Sequence, residues 1–290
     1  MKSHLLGTVG LVALALSGPA LAADMAPRMY SKAAPMAAPI FTWTGGYFGL
    51  NAGYAFDADT RFSNTVGDLA NNNAALAAGL RPFGTTVRSD GFTGGGQIGY
   101  NYQYGVGSGI VIGIEADAAY TDLHRTQTLS NTTNFGPLVT PGAPLTTRVN
   151  EYRGGLDFLG TVRGRVGYAF DRLLVYGTGG FAYGGVDNQV TFFAPNGTIP
   201  FFQGRQNSIQ TGYAYGGGME YAVTPDSVFN RLNFFNSNAV TLKVEYLHYD
   251  LGDRQFAIPG VNGGPGNYSA SVRNDGDLVR AGINFKFGSL

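Results

Sequence analysis

From Thr44 onward the chain alternates apolar and polar positions with period two, the pattern of a strand with one buried and one differently solvated face. In Thr44–Phe56, Phe48, Leu50, Ala52, Tyr54 and Phe56 share one face, and Tyr47, Gly49, Asn51 and Gly53 the other. Gly91–Tyr104 sets Phe92, Ile98, Tyr100, Tyr102 and Tyr104 against Thr93, Gln97, Asn101 and Gln103. Gly109–Leu123 sets Ile110, Ile112, Ile114 and Tyr120 against Glu115 and Asp117, and Leu156–Phe170 sets Val162, Val166, Tyr168 and Phe170 against Thr161, Arg163 and Arg165. Leu173 to about Val190 is a Gly-rich fifth segment. Thr211–Val223, Ala239–Asp250 and Asp277–Gly288 complete the set, with Glu220, Lys243, Glu245, Arg280 and Lys286 on their polar faces. These eight segments predict an all-β chain.

Each segment runs about 10–15 residues, whereas soluble strands average about 5–6 and a tilted strand needs about 9–11 to cross a bilayer. The links alternate between long (Asp57–Asp90, His124–Gly155, Thr191–Gln210, Leu251–Gly276) and short (Gly105–Ser108, Asp171–Arg172), with a medium sixth link, Thr224–Asn238. Transmembrane barrels sort their loops in this way, and an even strand count puts both termini at the short-turn end. The predicted fold is therefore an eight-stranded antiparallel transmembrane up-and-down β-barrel over residues 43–290.

The N-terminus supplies the compartment. Lys2, an apolar run from Leu5 to Leu16 and the small residues Ala20 and Ala22 form the three-part pattern of a secretory signal peptide, residues 1–22. Roughly 12 apolar residues are too few to span a bilayer as a helix. Residues 23–42, rich in Ala and Pro, read as an extended tail, placed in the periplasm by the strand count.

Composition narrows the function. The chain has 19 basic and 19 acidic residues and no Cys, so there is no cationic excess for nucleic acid and no thiolate metal site. Gly occurs 45 times in 290 residues, about twice the usual share. On the inner face of a narrow barrel, Gly makes room for larger polar neighbours. Gly94–Gly99 spells G-x-G-x-x-G, but strand alternation continues through Tyr100–Tyr104 where a nucleotide site needs a helix. His124 and His248, with Asp122 or Asp250 near them, are the candidates for catalysis, and no G-x-S-x-G elbow accompanies them. The expectation is no enzyme, no cofactor and no metal.

Two segments carry a family resemblance. Trp43-Thr44-Gly45-Gly46-Tyr47-Phe48-Gly49-Leu50-Asn51-Ala52-Gly53-Tyr54 resembles the first strand of the small alphaproteobacterial outer-membrane β-barrels, the immunogenic surface antigens with OmpA-like eight-stranded barrels. The last strand, with Arg280, Gly282, Phe285 and Phe287, resembles the C-terminal signal of such proteins, although here Gly288, Ser289 and Leu290 follow. The resemblance implies a Gram-negative outer-membrane location, contact with membrane lipid and lipopolysaccharide, and insertion by the barrel assembly machinery. It implies no defined activity.

The remaining candidates are charged and aromatic. Glu115, Asp117, Glu220 and Glu245 face Arg163, Arg165, Lys243, Arg280 and Lys286 on the polar faces. Charges inside a barrel must be paired or wet, and an eight-stranded interior is just wide enough for side chains to fill it. The expected function is a plugged, structural barrel that supports the envelope and displays surface loops. A narrow small-solute channel is one alternative. A loop-mediated adhesin or binder of a host or small-molecule ligand is the other, with Phe192, Phe193, Phe201 and Phe202 on Thr191–Gln210 as candidate contacts. Asn71–Asn73 suggest a mobile first loop.

Overall fold

The computed structural model describes residues 40–133, 145–195, 197–224, 227–228, 231 and 233–288. The signal-peptide segment and most of the Ala/Pro-rich segment lie outside these residues. Eight antiparallel strands close into one barrel, each paired with its sequence neighbours and the last with the first. They are β1 (Gly45–Gly67), β2 (Thr85–Gln103), β3 (Gly109–Thr133), β4 (Thr146–Phe170), β5 (Leu173–Phe193), β6 (Pro200–Ala222), β7 (Ala239–Pro259) and β8 (Asn267–Phe287). One helix, α1 (Ala70–Ala77), lies between β1 and β2.

The strands are far longer than the alternation predicts, at 19 to 25 residues. Much of each long link is strand, so the barrel continues past the membrane belt. Bulges explain why the pattern hides this. Register shifts fall between Phe56 and Asp59 of β1, Leu156 and Phe158 of β4, and Asp250 and Asp253 of β7. An extra residue in one strand exchanges its two faces. In β1 the inward positions pass from Tyr47, Gly49 and Asn51 to Ala58, Thr60 and Phe62.

The inner and outer surfaces change character along the barrel axis, through this exchange in β1, β4 and β7 and through a change of residue type along unshifted inward rows in β5, β6 and β8. Toward the short turns, the outer surface is apolar, with Leu50, Ile98, Ile112, Ile114, Val166 and Val244 exposed, and the interior is polar. Beyond the bulges, Phe62, Val87, Tyr152, Val190, Phe192, Phe202, Ile258 and Tyr268 pack inside. The first half suits lipid and the second suits water. Aromatic rings mark both rims of the apolar belt. Tyr102, Tyr104, Tyr168 and Phe170 stand at the short-turn rim. At the other rim the hydroxyls of Tyr54, Tyr213 and Tyr246 donate to Asp90, Asp250 and Asp277 at 2.8, 3.1 and 2.7 Å.

Candidate functional site

The inward rows of the membrane half bring eight charges to one level: Glu115 and Asp117 on β3, Arg163 and Arg165 on β4, Glu220 on β6, Lys243 and Glu245 on β7, and Arg280 on β8. All are almost fully buried, four acids against four bases. Arg163 is the hub. Its Nη2 reaches Glu115 at 2.8 Å and Asp117 at 2.9 Å, and its Nη1 reaches Glu245 at 3.1 Å. Arg280 joins Asp117 at 3.0 Å to Glu245 at 2.7 Å, and Lys243 Nζ sits 2.9 Å from Glu115. Arg165 pairs with Glu220 at 3.2 Å and stacks 3.8 Å above the Tyr176 ring.

Neutral donors satisfy the remaining carboxylate lone pairs. Tyr47 Oη donates to Glu115 at 2.8 Å, Tyr176 Oη to Glu245 at 2.9 Å, and Thr161 Oγ1 to Asp117 at 2.6 Å. Thr241 Oγ1 and Asn284 Nδ2 donate to Glu220. A buried ion pair is tolerable only when its hydrogen-bonding capacity is filled in this way. Two glycines make the space. A Cβ at Gly99 would strike the ring of Tyr47, and one at Gly218 would strike the hydroxyl end of Tyr176. Lys286 stands apart from the network. It lies at the mouth, donates to the Thr44 carbonyl at 2.6 Å and faces the Phe41 ring.

Tyr47 and Tyr176 join the network without carrying a charge, and Tyr47 sits on a predicted polar face. A ring in a polar row was the available signal.

Apolar layers stand on either side of the charges. At the short-turn mouth Trp43 is 1% exposed, donates its indole N–H to the Asp171 carbonyl at 2.9 Å, and packs with Phe41, Val111, Ala169 and Leu174. Phe41, placed in the tail by the sequence pattern, thus belongs to the packed mouth. On the other side Leu123, Leu156, Leu159, Val186, Leu247, Tyr249, Leu251 and Leu278 form a belt. A gap of about 10 Å³ beside Thr60, Tyr249 and Asn274 has room for roughly one water.

The far end is also covered. α1 is held by Asn73, which exchanges hydrogen bonds with the Gly67 backbone at 2.9 Å, and by Asn72, which donates to the Pro265 carbonyl at 3.0 Å. The expectation of a mobile Asn71–Asn73 loop gives way to this packed helix. Leu76 and Leu80 are buried beneath it. Arg81 follows, 2% exposed, and donates to Asn150 at 2.7 Å and to the Val149 and Phe193 carbonyls. Burial pulls its guanidinium down to about 10. No periodicity marks this segment, so nothing local in the chain points to Arg81.

The four phenylalanines require a correction of place. Thr191–Gln210 is mostly the end of β5 and the start of β6, joined by a short turn. Phe192 and Phe202 are 0% and 3% exposed inside the upper barrel, and Phe201 packs against the same cluster. Phe193, half-buried at the tip of β5, pairs with Pro200. The alternation predicts a surface loop here because it fades below these residues, whereas the strands continue through them.

The histidines also find other partners than the neighbouring aspartates. His124 Nε2 lies 3.0 Å from Asp157, and His248 Nδ1 lies 2.9 Å from Asp277. Among the described residues no group of three His, Cys, Asp or Glu side chains is placed to hold a metal ion. Gly94–Gly99 lies within β2 and opens no helix.

A closed ring of eight membrane-length strands, apolar outside and polar within, defines the class of outer-membrane β-barrels. The sequence matches the family described as outer membrane protein beta-barrel domain over residues 9–287, and the chain belongs to that family. It is 31% identical to the 31 kDa outer-membrane immunogenic protein of Brucella melitensis, over 99% of this chain and 100% of that one. It is 26% identical to the 25 kDa outer-membrane immunogenic protein of Brucella abortus, over 96% of each. A 22 kDa outer membrane protein of Rhizobium leguminosarum is 28% identical over 71% of each. Among solved structures, the outer membrane protein OprG of Pseudomonas aeruginosa aligns with a TM-score of 0.41 at 17% identity, covering 85% of this chain and 98% of that one.

Proposed function

We propose that the protein is a structural element of the outer membrane: a plugged barrel that supports the envelope and presents its long end to the exterior, with no catalytic role. The observation that carries this reading is the filled interior, where four acids and four bases neutralise one another between two apolar layers. A solute path needs water along its length, and a layer of charges already bonded to one another offers solutes no exchangeable partner.

The short turns and the Trp43 mouth face the periplasm in this reading, and α1 and the long strand ends face outward. The apolar belt and its two aromatic rims suit membrane lipid and the lipopolysaccharide leaflet. Arg280, Gly282, Phe285 and Phe287 serve the assembly machinery as a C-terminal signal. Phe285 and Phe287 sit at the short-turn end of β8, in an aromatic cluster with Phe48 and Phe235.

The test is loss of the gene in its own host. A structural barrel predicts sensitivity to bile salts and vancomycin with increased vesicle shedding, restored by the wild-type chain. An unchanged envelope, with uptake of small solutes impaired instead, would overturn the proposal.

A further inference from the structure

The ladders between neighbouring strands do not all reach the long end of the barrel. Pairing of β2 with β3 stops at Thr93 and Thr121, and pairing of β6 with β7 stops at Tyr213 and Asp250. The other ladders continue, so beyond the membrane belt the barrel divides into two sheets, β7-β8-β1-β2 and β3-β4-β5-β6. The β6–β7 seam is closed again at its tip. Phe202 bridges Gly260, the Val261 amide donates to the Phe201 carbonyl at 2.7 Å, and Asn262 donates to the Pro200 carbonyl at 3.1 Å.

Among the described residues the β2–β3 seam has no such closure. The strands touch at Gly91, whose Cβ position lies against the Asp122 carbonyl. Above that point they enclose a cleft of about 390 Å³ lined by Thr86, Val87, Arg88, Arg125, Thr126 and Gln127. Both walls are held firmly from behind. β2 is paired to β1 from Ser89 to Thr85, and β3 to β4 from Leu123 to Thr133. Among the described residues the cleft is therefore flanked by two preformed strand edges whose ladders on this side are empty.

Unpaired strand edges are templates for another strand, and natural proteins blunt them with Lys, Pro, bulges or a covering segment. Here the lining residues include Thr86, Val87 and Thr126, which favour strand pairing, and neither Lys nor Pro. The charges are two arginines. Among the described residues the Arg125 side chain carries no hydrogen bond or ion pair, and the Arg88 side chain reaches only Asp59, at 3.4 Å, and is 75% exposed. Asp90 and Asp122 stand at the foot of the seam, exposed, so the cleft turns positive with distance from the membrane belt.

We propose that the β2–β3 seam is a docking site for an extended acidic peptide segment of another protein, added as a strand. The incoming backbone pairs with the edge at Thr86–Arg88 or at Arg125–Gln127, and its carboxylates meet Arg88 and Arg125. Strand addition draws affinity from main-chain hydrogen bonds and selectivity from side-chain contacts, and charge-assisted bonds to arginine supply that selectivity here. The proposal is independent of the structural role above, because a filled lumen neither requires nor forbids a seam outside it.

The probe is a capped seven-residue peptide alternating Thr and Glu, titrated by fluorescence anisotropy into the full-length barrel refolded in lipid nanodiscs. Three controls accompany it: the same peptide with Lys for Glu, the Thr/Glu peptide N-methylated at alternate residues, and dextran sulfate. The expected result is saturable binding of the Thr/Glu peptide, at least tenfold weaker for the Lys and N-methylated forms. Amide resonances of Thr86, Val87, Arg125 and Gln127 should shift on binding. Arg125→Glu should weaken binding at least tenfold while the barrel keeps its heat-modifiable gel mobility. Absence of saturable binding overturns the proposal, and so does equal binding of the N-methylated peptide. Saturable binding of dextran sulfate that displaces the peptide without shifting those amides would make the cleft a polyanion site and overturn it as well.

Discussion

Arg163→Met is the most informative change to the interior. The Arg163 side chain is 0% exposed and contacts three carboxylates, those of Glu115, Asp117 and Glu245. Methionine fills much of the volume and removes the charge. The level then holds four acids against Arg165, Lys243 and Arg280, and Asp117 keeps only Arg280 as a cationic partner. Removing one member of a buried ion pair costs about 3–5 kcal/mol, because the remaining charge is stranded away from water. That is a large fraction of the roughly 5–15 kcal/mol that holds a typical fold together. The double variant Arg163→Met/Glu245→Gln restores neutrality, and its loss should fall to about 1–3 kcal/mol, the scale of unsatisfied neutral groups. Urea unfolding from lipid vesicles measures both. Trp43, the single tryptophan of the chain and 1% exposed, reports the transition. The slope against urea should be unchanged, so that the midpoint alone carries the effect. A loss below about 1 kcal/mol for the single variant is what a solvated pair would give. It would refute the dry, mutually compensated interior.

Two further outcomes follow from the part outside the membrane. Phe192→Ala should cost about 3–5 kcal/mol in the same urea assay, the usual loss for a buried aromatic ring, whereas a surface-loop contact would leave stability within about 0.5 kcal/mol. The Arg205 guanidinium, bidentate on Asp187 at 2.8 and 3.0 Å, holds that carboxyl below its ordinary range. A lowered folded-state pKa stabilises at pH above the unfolded value, about 3.9, and the benefit disappears as pH falls through the folded value. Arg205→Ala should therefore be slightly less stable than wild type at pH 7, a small difference because Arg205 is largely exposed. The two should converge near pH 2, and a gap that stays constant from pH 7 to pH 2 would contradict the pairing.

What the sequence revealed depended on where period two held. Between Tyr47 and Asn51, or between Glu115 and Asp117, alternation runs unbroken, and the inward rows read directly from the letters. At Phe56–Asp59, Leu156–Phe158 and Asp250–Asp253 an extra residue exchanges the faces, and the alternation breaks in the letters, so that strand and bulge together look like loop. Thr191–Gln210 reads as a surface excursion for another reason: β5 and β6 run without a bulge to Phe192 and Phe202, but their inward row turns from polar and Gly positions to apolar ones, so Phe192 and Phe202 are core. The charge level was legible because Glu, Asp, Arg and Lys are conspicuous in an apolar strand. Its neutral partners Tyr47, Thr161, Tyr176, Thr241 and Asn284 were not, because such residues occur on any wet face. Arg81 and α1 were illegible for a different reason. Their places are set by contacts with Asn150, Pro265 and Phe193, far along the chain, and local pattern carries no trace of such contacts.

We propose that side chains fill the interior from the Trp43 mouth to the α1 cap. Planar-bilayer recording of the refolded full-length protein tests it most directly. A filled barrel predicts a baseline without steady openings in molar potassium chloride, at protein levels where gel mobility shows complete insertion. Stable, reproducible unitary conductance from the same preparation would contradict it.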